Sequence, residues 1–171
     1  MLHPVDHDSV DRVIDRWIFV LPDLDPVVQG AITRMQKLVK HLSRVRQSSL
    51  ARYDLQPFEF ETLHTLAGLG APHRAGPTEL AAATKTAPAT MTSRIDTLAE
   101  RGFVRRLPST TDRRKVVVEL TDAGYRAWRG ALDGIGDEET RLMDALSPDE
   151  QRQLANLLRS MLLLAEADAT G

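Results

Sequence analysis

Pro88-Ala89-Thr90-Met91-Thr92-Ser93-Arg94-Ile95-Asp96-Thr97-Leu98-Ala99-Glu100-Arg101 is the stretch on which the reading of this chain turns. Met91, Ile95 and Leu98 fall at i, i+4 and i+7, which is one apolar stripe of a helix. Thr90, Ser93, Arg94 and Thr97 are left on the other side. Immediately upstream, residues 77–83 carry Leu80 among small alanines and are expected to form a short helix, with residues 84–87 as a tight turn. Two short helices joined in that way make a helix-turn-helix. Downstream, Gly102 supplies a helix stop and residues 103–107 are short and β-prone. Their partner is Val116-Val117-Val118-Glu119-Leu120, across the polar, turn-rich residues 108–115. The pair is expected to form a hairpin with a protruding charged loop.

Moving outward, Val10, Val13, Ile14, Trp17 and Val20 recur at helical spacing behind Asp8 and Ser9, which can accept from free N–H groups at a helix start. Pro22 and Pro26 end that short helix. A long amphipathic helix then carries Val28, Ile32, Met35, Leu38, Val39, Leu42 and Val45, with no glycine or proline from residue 31 to 56. Pro57 opens the next helix, which runs to Gly68-Leu69-Gly70, and residues 71–76 are expected to be loop. Thr121 caps a further helix through Trp128 and Ile135, its middle weakened or bent by Gly130, Gly134 and Gly136. Ser147-Pro148-Asp149-Glu150 is a strong start signal, with serine cap, proline at the first position and glutamate at the third. The leucine-rich helix that follows has too many apolar positions for one narrow stripe, and burial against another subunit satisfies it better than its own domain does.

Composition bounds the function. In 171 residues there are 42% hydrophobic and 27% charged residues and no cysteine, so disulfides, thiolate metal sites, cysteine nucleophiles and thiol-oxidation sensing are excluded. No apolar run spans a membrane and the N-terminus lacks a cationic, apolar leader, so the expectation is a soluble cytoplasmic protein with no membrane partner. The net charge of −2 conceals a polarised distribution. Residues 84–115 hold eight basic residues against three acids, whereas residues 116–171 hold eleven acids against five arginines. A basic centre in an acidic chain concentrates attraction for a polyanion on one surface.

The motifs Thr92-Ser93-Arg94-Ile95-Asp96-Thr97-Leu98, Gly102-Phe103-Val104-Arg105-Arg106, Asp112-Arg113-Arg114 and Leu120-Thr121-Asp122-Ala123-Gly124, in this order and spacing, resemble the core of the MarR family of bacterial transcription regulators. Leu146-Ser147-Pro148-Asp149-Glu150 resembles the start of that family's last helix. The resemblance implies a mainly α fold with a small β-hairpin wing. Residues 57–121 would be a winged helix-turn-helix, with N-terminal (1–56) and C-terminal (122–171) dimerisation helices. It also implies a homodimer on a pseudo-palindromic duplex, commonly a repressor released by a small aromatic or anionic effector. Ala89, Thr90, Thr92 and Ser93 suit a recognition helix whose small polar side chains reach base edges. Lys85 in the turn is placed for phosphates. In the wing, the resemblance has Asp112 orient Arg114 toward a minor groove, with Arg113 and Lys115 on phosphates. Arg94 is expected either on DNA or in an internal pair with Asp96 or Glu61, and Arg101, Arg105 and Arg106 either on DNA or as ordinary surface charges.

The extra N-terminal helix resembles a subgroup that includes urate responders. Trp17, Glu61 and Arg94 match three of its effector positions, and His64 follows Glu61 on the same helix. Ala82 stands where urate responders carry arginine. No cofactor or metal is expected: His3 and His7 are spaced for zinc, but Pro4 and the chain end work against an ordered helix there. No nucleophile elbow, phosphate loop or HExxH pattern points to an enzyme. The alternative is a winged helix used as a protein-interaction or dimerisation module without sequence-specific DNA binding, which a salt series would separate from the DNA reading.

Overall fold

A computed structural model describes residues 7–108 and 116–169, which form two compact units, Met1–Val45 and Arg46–Gly171. The charged tip at residues 109–115 lies outside the described residues.

The first unit holds α1 (Asp11–Ile18) and most of α2 (Pro26–Arg52). The Asp8 carboxylate accepts from the backbone N–H groups of Val10 and Asp11, at 2.6 and 3.1 Å, and so caps α1. The helix ends at Ile18, short of the expected Val20, where the Val20 N–H bonds the Trp17 carbonyl three residues back and tightens the last turn ahead of Pro22. Arg34 of α2 donates from Nε to Asp8 (2.9 Å) and from Nη2 to Asp11 (2.5 Å). Lys37 Nζ donates to Ser9 Oγ at 2.7 Å, and the one buried position of α1, Ile14, lies beside Gly30.

These charges give the unit a pH dependence. The hydrogen bond from Arg34 outweighs the opposing effect of burial and, with the Val10 and Asp11 N–H groups, lowers the Asp8 carboxyl from 3.8 to about 2. Arg34 lowers Asp11 in the same direction. A carboxyl depressed in the folded state stabilises it above its unfolded value, and that contribution is lost as pH falls through the folded value. Tryptophan fluorescence of a Trp128→Phe variant, which leaves Trp17 as the reporter on α1, is therefore expected to change as pH is lowered from about 4 toward 2. Arg34→Ala in the same background is expected to show the changed signal already at neutral pH; a flat titration of the Trp128→Phe protein across that window would contradict the linkage.

The second unit continues with α3 (Pro57–Gly68), β1 (Arg74–Ala75), α4 (Pro77–Ala83), α5 (Pro88–Glu100), β2 (Val104–Pro108), β3 (Val116–Leu120), α6 (Asp122–Met143) and α7 (Pro148–Asp168). Three helices start on a proline with a glutamate two residues on. The carboxylates of Glu59, Glu79 and Glu150 accept from the backbone N–H of Gln56, Gly76 and Ser147 at 2.7–2.8 Å. Leu63, Leu66, Leu80, Met91, Ile95, Leu98 and Val118 are the fully enclosed centre of the core, drawn from α3, α4, α5 and β3.

Two sequence expectations are corrected. Residues 71–76 are not all loop: Arg74 and Ala75 pair with Glu119 and Val118, giving a sheet of order β1-β3-β2. The hairpin's first strand begins at Val104 rather than Phe103, because the Phe103 N–H is taken by the Leu98 carbonyl and its own carbonyl by the Thr121 N–H. α6 runs as one helix, Asp122–Met143, through Gly130, Gly134 and Gly136. A Cβ at Gly130 would stand 2.3 Å from the Tyr53 ring and one at Gly134 2.6 Å from Ser49 Oγ, so these glycines admit neighbouring side chains.

α7 buries none of its residues, and Leu157, Leu158, Met161, Leu162, Leu163 and Leu164 are 43–67% exposed. No helix among the described residues is long and apolar enough to cross a membrane.

Candidate DNA-binding surface

The helix-turn-helix is built around a strained, tied turn. Lys85 adopts φ +50°, a left-handed conformation that costs a side-chain-bearing residue about 1 kcal/mol. The flanking threonines hold it there. Thr84 Oγ1 donates to the Leu80 carbonyl at 2.8 Å, the Thr86 N–H to the Ala81 carbonyl at 2.8 Å, and the two hydroxyls meet at 3.1 Å. Lys85 is thereby exposed at the elbow between α4 and α5, and it makes no ion pair among the described residues.

On α5 the apolar stripe works as the spacing implies: Met91, Ile95 and Leu98 are fully buried. Ala89, Thr90, Thr92 and Ser93 are all exposed, presenting small side chains along the first two turns. Thr92 Oγ1 donates to the Pro88 carbonyl at 3.1 Å, which leaves its lone pairs free to accept. Asp112, Arg113, Arg114 and Lys115 lie outside the described residues.

Arg94 pairs internally with Glu61 rather than with Asp96. Its Nη1 is 3.3 Å from Glu61 Oε2 and 3.1 Å from Thr86 Oγ1, and its guanidinium lies 5.4 Å from the centroid of the Phe58 ring. Of the four expected effector residues, Glu61 and Arg94 are therefore brought together. His64, on the same helix, accepts at Nδ1 from Trp128 Nε1–H (3.1 Å) and stacks on Phe60. Trp17 belongs to the N-terminal unit, where it lines a groove of about 280 Å³ with Val13, Ile14, Leu21 and Leu24.

The larger revision concerns the basic centre. Among the described residues, four of its five cations are paired. Besides Arg94, Arg101 bonds Glu59 (2.5 Å) and Asp54 (2.9 Å), Arg106 bonds Asp96 (2.6 Å), and Arg105 bonds Glu119. Glu119 also takes Arg74, so the carboxylate stands between two guanidiniums directly opposite it in the sheet register. Burial works against its ionisation, but hydrogen bonds from Arg105 and Arg74 outweigh that and hold the carboxyl below its ordinary range. Most of these carboxylates lie outside the basic stretch in sequence, so counting charges along the chain overstated the field at this surface. Arg101, Arg105 and Arg106 are each held in an ion pair, and the signal for these pairs is cross-strand or cross-helix, absent from local sequence.

The same arrangement of helices and wing is found in known proteins. A model of the MarR family matches residues 55–116. The HTH-type transcriptional regulator PecS of Dickeya dadantii (strain 3937) is 31% identical over 153 residues, covering 88% of this chain and 90% of that protein. The chain belongs to the MarR family. It is a helix-turn-helix transcription regulator of that family, and its fold is shared by solved structures. YusO from Bacillus subtilis superposes with a TM-score of 0.70 at 21% identity, covering 80% of this chain and 95% of that one. A point mutant of S. aureus MepR bound to an oligodeoxyribonucleotide gives 0.60 at 18% identity, covering 78% and 97%.

Proposed function

We propose that this MarR-family regulator is a repressor that binds a pseudo-palindromic duplex as a homodimer, with α5 in the major groove and the wing in the adjacent minor groove. The observation that carries the reading is the two-sidedness of α5: Met91, Ile95 and Leu98 anchor one face in the core, while Thr90, Thr92, Ser93 and the elbow residue Lys85 stand exposed on the other. The open leucine face of α7 supports a second copy as its cover. Small polar side chains read base edges, Lys85 neutralises a phosphate, and Arg114, oriented by Asp112, serves the minor groove, with Arg113 and Lys115 on the backbone. A small aromatic or anionic effector acts at Arg94. Competition with Glu61 for that guanidinium loosens the contact between α3, the turn and α5.

The test is capture of sheared genomic DNA by the wild-type protein beside Arg114→Ala and Lys85→Gln, followed by a salt series on the recovered fragment. Arg114→Ala is expected to weaken the recovered site about tenfold or more. Lys85→Gln is expected to weaken all duplexes alike and to reduce the slope of log affinity against log salt by about one. Aromatic carboxylates are expected to release the wild-type protein and not Arg94→Gln. Diffuse recovery, equal for wild type and Arg114→Ala, would overturn the reading in favour of a protein-interaction module.

A further inference from the structure

One cation joins the two elements to which DNA contact is assigned. Arg106 lies on β2, the strand that leads into the wing tip, and its Nη2 donates to Asp96 Oδ1 of α5 at 2.6 Å. The same amino group is 3.5 Å from the carbonyl oxygen of Thr92, in the exposed polar turn of α5. The neighbouring guanidiniums are committed elsewhere, Arg105 to Glu119, Arg94 to Glu61 and Arg101 to Glu59, so none of them duplicates this link. Val118, the cross-strand partner of Arg106, is fully buried, so the hairpin is held to the core directly opposite the residue from which the link springs.

We propose that Arg106 is a positioning residue for DNA recognition: its bond to Asp96 sets the wing at a fixed offset from α5, so that helix and wing reach neighbouring grooves together. The inference rests on the DNA interface proposed above. A helix and a wing that bind one duplex behave as linked modules. Once one is seated, the second binds at an effective concentration set by how well the offset matches the groove spacing. Fixing that offset beforehand removes an ordering cost from the binding step. The side chains of the pair are 38% and 55% exposed, so the bond contributes little to stability, and its value lies in geometry.

The competing role is that Arg106 leaves Asp96 and neutralises a phosphate. The two roles give opposite signs at Asp96. If Arg106 serves a phosphate, Asp96→Asn removes a repelling carboxylate, frees the guanidinium and tightens binding. If Arg106 positions the wing, Asp96→Asn leaves only a weaker, neutral acceptor for the guanidinium, loosens the wing and weakens binding although a negative charge has been removed.

The experiment uses the full-length protein, a short duplex selected by the wild type from a random-sequence library, and an unselected duplex of the same length. Arg106→Gln and Asp96→Asn are each expected to weaken the selected duplex about tenfold, with the double variant no weaker than either single. The slope of log affinity against log salt, the affinity for the unselected duplex and the thermal midpoint are expected to stay at wild-type values. Arg106→Lys, which can still reach Asp96 with one bond, is expected to recover part of the loss. Binding by Asp96→Asn as tight as wild type or tighter, or a slope reduced by about one in Arg106→Gln, overturns the proposal. Arg114→Ala, run alongside, separates the two readings. Weakening there with none at positions 96 and 106 sinks only the positioning role, whereas no weakening in any of the three sinks the DNA interface itself.

Discussion

Arg101→Met is expected to lower the stability of the winged-helix unit by about 3–4 kcal/mol, and Glu59→Gln introduced beside it is expected to restore most of that loss. Glu59 is completely buried. Its Oε2 accepts from Arg101 Nη1 at 2.5 Å and from the Gln56 N–H at 2.8 Å, and its Oε1 has no partner among the described residues. Methionine would keep the apolar stem packed and remove the cation, leaving a buried carboxylate with one backbone donor. Removing one member of a buried pair strands the other, which costs far more than the pair itself contributes. Arg101 is 27% exposed, which places the effect toward the lower end of that range, but its bonds to the Asp54 carbonyl and carboxylate are lost as well. So is the packing of its guanidinium 4.7 Å from the Phe103 ring centroid. Glutamine at position 59 is neutral and keeps an oxygen to accept from the Gln56 N–H. Urea unfolding of the single and double variants measures this directly. A single variant within about 1 kcal/mol of wild type, or a double variant no better than the single, would refute the stranded-charge account.

Gly124→Ala is expected to cost about 3 kcal/mol, the high end for an added methyl group, because the obstacle is backbone. A Cβ on Gly124 would stand 2.1 Å from the Phe103 carbonyl oxygen and 2.9 Å from both the Phe103 carbonyl carbon and Leu120 Cδ1. No rotamer change relieves a clash with a carbonyl. The Phe103 oxygen is also the acceptor for the Thr121 N–H and hydroxyl, and Thr121 Oγ1 in turn accepts from the Gly124 N–H at 3.1 Å to cap α6. Relief must therefore come from moving the start of β2 away from the start of α6, at the junction of the hairpin and the following helix. Gly136→Ala is the control of opposite sign, since nothing lies within 4 Å of its Cβ position. Replacing a mid-helix glycine there is expected to stabilise by about 0.5–1 kcal/mol. Thermal unfolding of the two variants reads both. Equal shifts would show that the close approach at Phe103 does not govern position 124.

How much of this was legible in the sequence follows from the range of the interactions involved. The Ser147-Pro148-Glu150 cap was readable because its hydrogen bonds join residues three apart. The inward stripe Met91, Ile95 and Leu98 was readable because helical periodicity is local, and the stop at Gly102, with φ +70°, because only glycine adopts that conformation freely. The order of the helix-turn-helix and the hairpin followed from these. The two-residue strand β1 was not, since Arg74 and Ala75 have no pattern of their own and are strand only by pairing with β3 across more than forty residues. Nor was the role of the glycines in α6, which depends on what packs against them.

The candidate site divides along the same line. The sequence by itself determined which face of α5 is polar, where the elbow falls and how the chain is punctuated, because spacing, caps and stops act within a few residues. Only the tertiary structure decided which cations face outward. Arg94, Arg101, Arg105 and Arg106 each find a carboxylate 10–42 residues away once helices and strands pack. A guanidinium's partner is chosen by proximity in space, and a charge tallied along the chain carries no record of that.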